Sequence, residues 1–268
     1  MPTRPLRLRS VVSCLGASLL PASARAADLP ADDTHVLPCR PTIACTADIV
    51  APGVFELETG ALYRHLGSPG PVWTFPFLAK LTLAKWIQVQ AGSNGFTQAI
   101  DPGVAQYLDD LTVTAKFHLT DADPHGATPS VSASAGFSFP ASTNQEGFAP
   151  TYDATFTAYA SKDFGPIHAD ANLALELWRI DASATAQELA TLALSLALPP
   201  PFGVMAEAYY FSPADPVATR DGGILFAVSH SPRPWLTFDA GGDVGYFPST
   251  RSFSVFVGMT IAPVVFWK

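Results

Sequence analysis

From about Gly53 to the end of the chain, apolar and polar residues alternate one by one in some twelve separate stretches. In the clearest of them Ile167, Ala169, Ala171, Leu173, Leu175 and Leu177 share one parity, and His168, Asp170, Asn172 and Glu176 share the other. A period of two puts successive side chains on opposite faces of an extended chain, so each stretch reads as a strand with one greasy and one wet face. A dozen such strands have two outlets. A soluble sandwich buries the apolar faces between two sheets and shows charged faces to water. A transmembrane barrel turns the apolar faces to lipid and encloses the polar ones.

The residues favour the barrel. Charged residues make up 14% of the chain, against ~25% in ordinary soluble proteins. No run after the N-terminus approaches the ~18 apolar residues of a spanning helix. The polar faces are also small rather than charged: Ser130, Ser132, Ser134, Gly136 and Ser138 line one strand, which suits a confined interior. Connections alternate in length. Ala84-Lys85, Lys162 to Gly165, Pro199 to Phe202 and Ser231 to Pro234 are short, whereas Thr97 to Asp110, Pro140 to Thr151 and Ser212 to Gly222 are longer. Asp121 to Pro129 is a long exception on the short side. Short turns on one side and long loops on the other are the pattern of outer-membrane barrels, with the short side periplasmic. Trp73, Trp86, Trp178, Trp235 and Trp267 fall at strand ends, where an interfacial girdle would sit, although Trp178 has inward parity. The expected fold is therefore all-β: a closed antiparallel transmembrane β-barrel of about 12 strands, with short periplasmic turns and longer outer loops. Pro263, in the last strand, marks a bulge or an early end.

The first 26 residues read as an address. Arg4, Arg7 and Arg9 precede an apolar core from Val11 to Leu20, and Ala24-Arg25-Ala26 is a cleavage site of the A-x-A kind. Cleavage there removes four arginines and leaves 11 basic against 23 acidic residues. Such a balance disfavours nucleic acid as a partner. Residues 27–52, rich in Pro, Asp and Thr and without periodicity, read as an N-terminal periplasmic extension or a plug-like arm; residues 53–268 form the barrel. Cys14 leaves with the signal peptide. Cys39 and Cys45, in an oxidising compartment, are expected to close a small disulfide loop. A metal site there would need more ligands than His35 alone supplies.

Parity assigns the lumen-lining candidates. The first strand offers Glu56 and Glu58, the second Lys80, and the fourth Lys116 and His118. Asp153 comes from the sixth strand, His168, Asp170, Asn172 and Glu176 from the seventh, Glu207 from the ninth, and Asp239 and Asp243 from the eleventh. Two readings follow: a network of paired charges that fills and stiffens the barrel, or a cation-favouring constriction with polar hooks for a solute.

Several segments resemble the outer-membrane family known as meta-pathway phenol-degradation transporters. They are Gly53-Val54-Phe55-Glu56-Leu57-Glu58, Asp110-Leu111-Thr112-Val113 with Lys116-Phe117, Pro201-Phe202-Gly203-Val204 with Glu207, and Asp221-Gly222-Gly223. The resemblance spans about Pro52 to the end and departs at Asp109, where the family has Gly. It implies an outer-membrane barrel passing hydrophobic or aromatic compounds, with no binding residues carried over.

The expected function is passive passage of small molecules; a plugged structural or interaction barrel is the alternative, and an outer-membrane hydrolase the more distant one. The expected partners are outer-membrane lipid, a small-molecule solute and, through the apolar-aromatic parity of Phe253 to Trp267, the barrel-assembly machinery. No cofactor or metal is expected, and enzymatic chemistry is not. Ser93 and Asn94 have no adjacent base, although His118 or His168 could approach in space. Asp239 and Asp243 share a strand face roughly 13 Å apart, too far to share a proton.

Overall fold

The structure is a computed structural model that describes residues 35–66, 70–99, 107–141, 153–180, 183–213, 221–246 and 252–267. The signal peptide, Cys14, the tips of several connections and the side chain of Trp178 lie outside the described residues.

Every predicted strand is present. They are β1 (Val54–Leu66), β2 (Gly70–Ala84), β3 (Ile87–Ala99), β5 (Leu111–Thr120), β6 (Ser130–Phe139), β7 (Asp153–Phe164), β8 (Ile167–Ile180), β9 (Ser183–Ala197), β10 (Phe202–Phe211), β11 (Asp221–Arg233), β12 (Leu236–Gly245) and β13 (Ser252–Val265). A two-residue strand, β4 (Tyr107–Leu108), was not foreseen; it pairs with Phe96 and Thr97 where β3 outruns β5. Each strand is antiparallel to the next, and β1 pairs with β13 from Val54↔Val265 to Leu66↔Ser252. That last ladder closes a twelve-strand barrel. Closure leaves no edge, which lipid would not tolerate.

The alternation lands as lipid outside and polar inside. On β8, Leu173 is 65% exposed and Asp170 is fully buried. On β9 Leu192, Leu194 and Leu196 point out while Thr191, Ala193 and Ser195 are buried. In a sandwich the leucines would meet each other; here they form the outer wall. Leu173→Arg is predicted to cost about 2–4 kcal/mol, because it puts a charge on the lipid face near mid-height. Urea unfolding in lipid vesicles should show that loss, and a Leu173→Ile control should not.

The rims also follow from side-chain chemistry. Trp86, Trp235 and Trp267 are exposed at the short-turn end, and Trp73 is exposed at the opposite end against Tyr63, with ring centroids 5.2 Å apart. Indole suits an interface because its ring prefers the apolar side and its N–H stays wet. At Pro263 the ladder does not stop. The register slips between Phe55↔Val264 and Leu57↔Ile261, so β13 carries one extra residue opposite β1. Proline cannot donate to the ladder, and the bulge accommodates it.

Candidate functional site: a strap inside the lumen

Residues 35–50 lie within the barrel and not outside it as a periplasmic extension. Val36 and every residue from Pro38 to Ala47 are buried. This strap has no regular secondary structure, so its backbone groups have no ladder partners. Buried N–H groups must still find acceptors. The inward side chains of the wall supply them.

Carboxylates take the strap's amides in pairs. Glu58 accepts from the N–H of Cys39 (2.7 Å) and Arg40 (2.9 Å). Glu207 accepts from Ile43 and Ala44, both at 2.6 Å. Glu56 accepts from Leu37 at 2.6 Å. Asn172 exchanges two bonds with Cys45, accepting from its N–H at 2.6 Å and donating to its carbonyl at 2.8 Å. A side-chain amide thus stands in for a neighbouring strand. Ser161 accepts from Ala47 N–H at 2.6 Å and donates to Asp170 at 2.5 Å.

Cations hold the strap's carbonyls. Lys116 donates to Thr46 O (2.5 Å) and Asp48 O (3.1 Å) and sits 4.6 Å from the centre of the Tyr159 ring. Lys80 donates to Leu37 O at 2.6 Å and pairs with Glu56 (3.1 Å) and Glu58 (2.7 Å). Ser132 donates to Ala47 O, and Ser130 reaches the Asp48 carboxylate at 2.5 Å. These contacts explain why β6 presents Ser130 and Ser132 inward: larger side chains there would collide with the strap. The disulfide joins Cys39 to Cys45, with Cα atoms 4.8 Å apart, and packs against Ala47, Tyr159 and Leu78.

Arg40 is the strap's own charge. Its guanidinium pairs with Asp239 at 3.1 Å and donates to Val257 O at 3.2 Å. Space for it comes from two facing glycines, Gly60 on β1 and Gly258 on β13, which are register partners. A Cβ on Gly258 would lie 2.3 Å from Arg40 Nε. Gly258→Ala is therefore predicted to push the guanidinium off Asp239 and cost about 1–3 kcal/mol, the price of a buried carboxylate left unpaired. Adding Asp239→Ala to that variant should then cost little more, since both changes remove one interaction. Unfolding midpoints of the single and double variants test this.

Of the remaining candidates, His118 also touches the strap, with Nδ1 3.4 Å from Ala47 O. His168 bridges Asp163 (2.7 Å) and Asp170 (3.0 Å) near the short-turn end, and His118 reaches Asp121 at 2.9 Å. Asp243 accepts from Tyr209 at 2.7 Å and from Ser254. Asp153 is buried and Glu176 partly exposed, both toward the long-loop end. The sequence did not single out Arg40, Ser161 or the glycine pair. A basic residue between two cysteines, with no carboxylate near it in sequence, was the available signal. Gly241 also has its reason: a Cβ there would lie 2.7 Å from the Phe256 ring, within an inward apolar cluster with Leu62, Met205, Leu225 and Ala227. No bulge occurs at Gly241-Gly242. Ser93 bonds to Asp109 O and Gly95 N–H, and Asn94 to the Asp109 carboxylate, so Asp109, where the resembled family has glycine, is tied to β3.

The strap's partners come mainly from the halves of the strands nearer the short turns. Beyond it a small recess opens in the other half. Its floor is Ile43 of the strap with Tyr159 and Asn172, and its walls include Thr155, Thr157, Glu176, Gln187, Leu189 and Phe211. Among the described residues, the strap fills the lumen nearer the short turns, and the recess lies beyond it against β7 to β10.

No protein-family model matches the chain, and no curated protein matches it in sequence. Solved structures do match in fold. An outer membrane channel from Pseudomonas putida F1 superposes with a TM-score of 0.59 at 9% identity, over 80% of this chain and 97% of that one. The translocator domain of the autotransporter NalP from Neisseria meningitidis gives 0.50 at 13% identity, over 80% of this chain and 90% of that one. At these identities the likeness is one of architecture. This chain has the fold of an outer-membrane β-barrel.

Proposed function

We propose that this protein is a passive channel of the bacterial outer membrane for small hydrophobic or aromatic molecules, with residues 35–50 as its constriction. The observation that carries this reading is a closed barrel with a polar lining and, beyond the strap, a recess in its long-loop half. A solute entering from outside meets a recess with apolar walls before it meets the charged network. The use of the same architecture as an outer membrane channel in Pseudomonas putida F1 supports the reading. The segments that resemble phenol-degradation transporters support an aromatic solute. The signal-like N-terminus and the aromatic parity of β13 support export and delivery to the barrel-assembly machinery. The lumen charges fill and stiffen the barrel: Glu56, Glu58, Lys80, Lys116, Glu207 and Asp239 serve the strap rather than a hydrated ion.

The filled short-turn half favours a second reading, a barrel plugged for a structural or interaction role. Uptake into proteoliposomes separates the two. The channel reading predicts entry of benzyl alcohol and small aromatic alcohols faster than through protein-free vesicles, with disaccharides excluded. Equal rates with and without protein, for every solute, would leave the plugged barrel.

A further inference from the structure

We propose that a periplasmic thiol oxidase makes the Cys39–Cys45 bond before the barrel closes, so that the wall assembles around a ring already shut. The proposal needs export of the chain and is independent of the channel reading. Three observations carry it.

The first is burial. Cys39 and Cys45 are each 2% exposed, and they pack against Ala47, Tyr159 and Leu78. Glu58 on β1 accepts from the amide of Cys39, and Asn172 on β8 accepts from that of Cys45. Leu78 is on β2 and Tyr159 on β7. Wall segments far apart in the sequence thus meet around the bond. Thiol–disulfide exchange passes through a mixed disulfide, so a catalyst must bring its own sulfur onto one of these two. An opening about one peptide chain wide, already occupied by the strap, admits no folded protein.

The second is chain order. Residues 39 and 45 precede every strand, whereas β13, which completes the barrel by pairing with β1, is the last. An exported chain therefore presents both thiols to the periplasm before the strand that encloses them has followed.

The third is that the ring is local. The cysteines are 6 residues apart, and their Cα atoms stand 4.8 Å from each other. Closing so short a loop costs little in an unfolded chain and asks nothing of the wall. Loss of the signal peptide removes Cys14, so one pairing remains.

The chemistry balances between two proteins. One cysteine of this chain, as thiolate, attacks a sulfur of the oxidase's disulfide and displaces the other oxidase sulfur. The second cysteine then attacks the mixed disulfide. The chain leaves with the Cys39–Cys45 bond, and the oxidase leaves as a dithiol carrying the two electrons and two protons. The closed ring then offers the amides of Cys39, Arg40, Ile43, Ala44 and Cys45 from one small loop to Glu58, Glu207 and Asn172. Once enclosed, the bond is a fixed staple and not a redox gate.

The test is pulse-chase labelling of the full chain in a Gram-negative host. A high-mass maleimide traps free thiols, and heat-modifiable mobility in gels reports barrel closure. We expect the bond to appear in chains that are still unfolded. A closed, reduced species that later becomes closed and oxidised would overturn the proposal. In a host without its periplasmic thiol oxidase, oxidised barrels should form at no more than about one-tenth of the usual rate; a higher rate would also overturn it. Should the reduced chain fail to assemble there, the purified oxidised barrel in lipid vesicles decides. A protein dithiol reductant should leave its bond intact under conditions that reduce the urea-unfolded chain. Reduction of both at similar rates would show that proteins reach the enclosed bond, and the proposal would fall.

Discussion

Deletion of residues 35–50 is expected to raise the single-channel conductance on the order of ten-fold. The estimate comes from barrel geometry: twelve strands about 4.8 Å apart, tilted about 40°, enclose a backbone cylinder about 24 Å across. Wall side chains take up roughly half of that diameter, which leaves an opening about one peptide chain wide. The strap occupies that width at the short-turn half, held through Glu58, Glu207, Asn172, Ser161 and Lys116. Removing it should leave the cylinder standing, because the β1–β13 ladder is made of wall residues only. Planar-bilayer recordings of the two forms at equal salt measure the effect. Indistinguishable step sizes would show that the strap does not limit the current. The heat-modifiable gel shift of the variant checks that the barrel has formed. Should the deletion fail to fold, Glu207→Leu provides a milder release, since it removes the acceptor for the amides of Ile43 and Ala44.

The second large effect is on stability. Lys80 is buried between Glu56 and Glu58, and its ammonium also holds the carbonyl of Leu37. Lys80→Met would leave two buried carboxylates facing each other without a counter-ion. Breaking a buried pair by removing one partner costs about 3–5 kcal/mol, because the charge left behind is uncompensated. The two carboxylates here are 0% and 1% exposed, so water cannot screen them. We predict a loss of that size in urea unfolding, and recovery of part of it when Glu56→Gln is added. Recovery should be incomplete, since Leu37 N–H loses its charged acceptor. A Lys80→Met variant as stable as the parent would mean that the triad is open to solvent.

The barrel was legible because its cause is local and repeated. Ile167 to Leu177 declares its two faces within eleven residues, and the wall only has to repeat that rule. The bulge at Pro263 was legible for a similar reason: one residue cannot donate, and the ladder must yield there. The strap was not legible to the same depth. Its residues carry no period, and their partners on the wall lie between 18 residues away, as for Arg40 and Glu58, and 217 away, as for Arg40 and Val257. Left with the same composition, an arm outside the barrel and a plug within it look alike. The decisive signal was on the wall: Glu56, Glu58, Glu207 and Asp239 are too many inward carboxylates for Lys80 and Lys116 to balance. Backbone amides from elsewhere in the chain, together with Arg40, make up the difference. The outer recess was hidden because it is bounded by Ile43, whose position depends on the strap as a whole.

The lumen carries another lesson about inward charge. A carboxylate that points into a barrel is easily read as part of a permeation path. In this protein Glu58 and Glu207 each clamp two consecutive amides of the same chain, which is an anchoring task. Glu176 lies beyond the strap, among the residues that line the recess.

Amide hydrogen exchange in lipid tests the central claim most directly. The amides of Leu37, Cys39, Arg40, Ile43, Ala44, Cys45 and Ala47 donate to Glu56, Glu58, Glu207, Asn172 and Ser161. With the strap seated in the lumen, they should exchange as slowly as interior amides of β1 and β13. Exchange of these seven at free-chain rates, while the β1–β13 ladder stays protected, would place the segment outside the barrel and contradict the account.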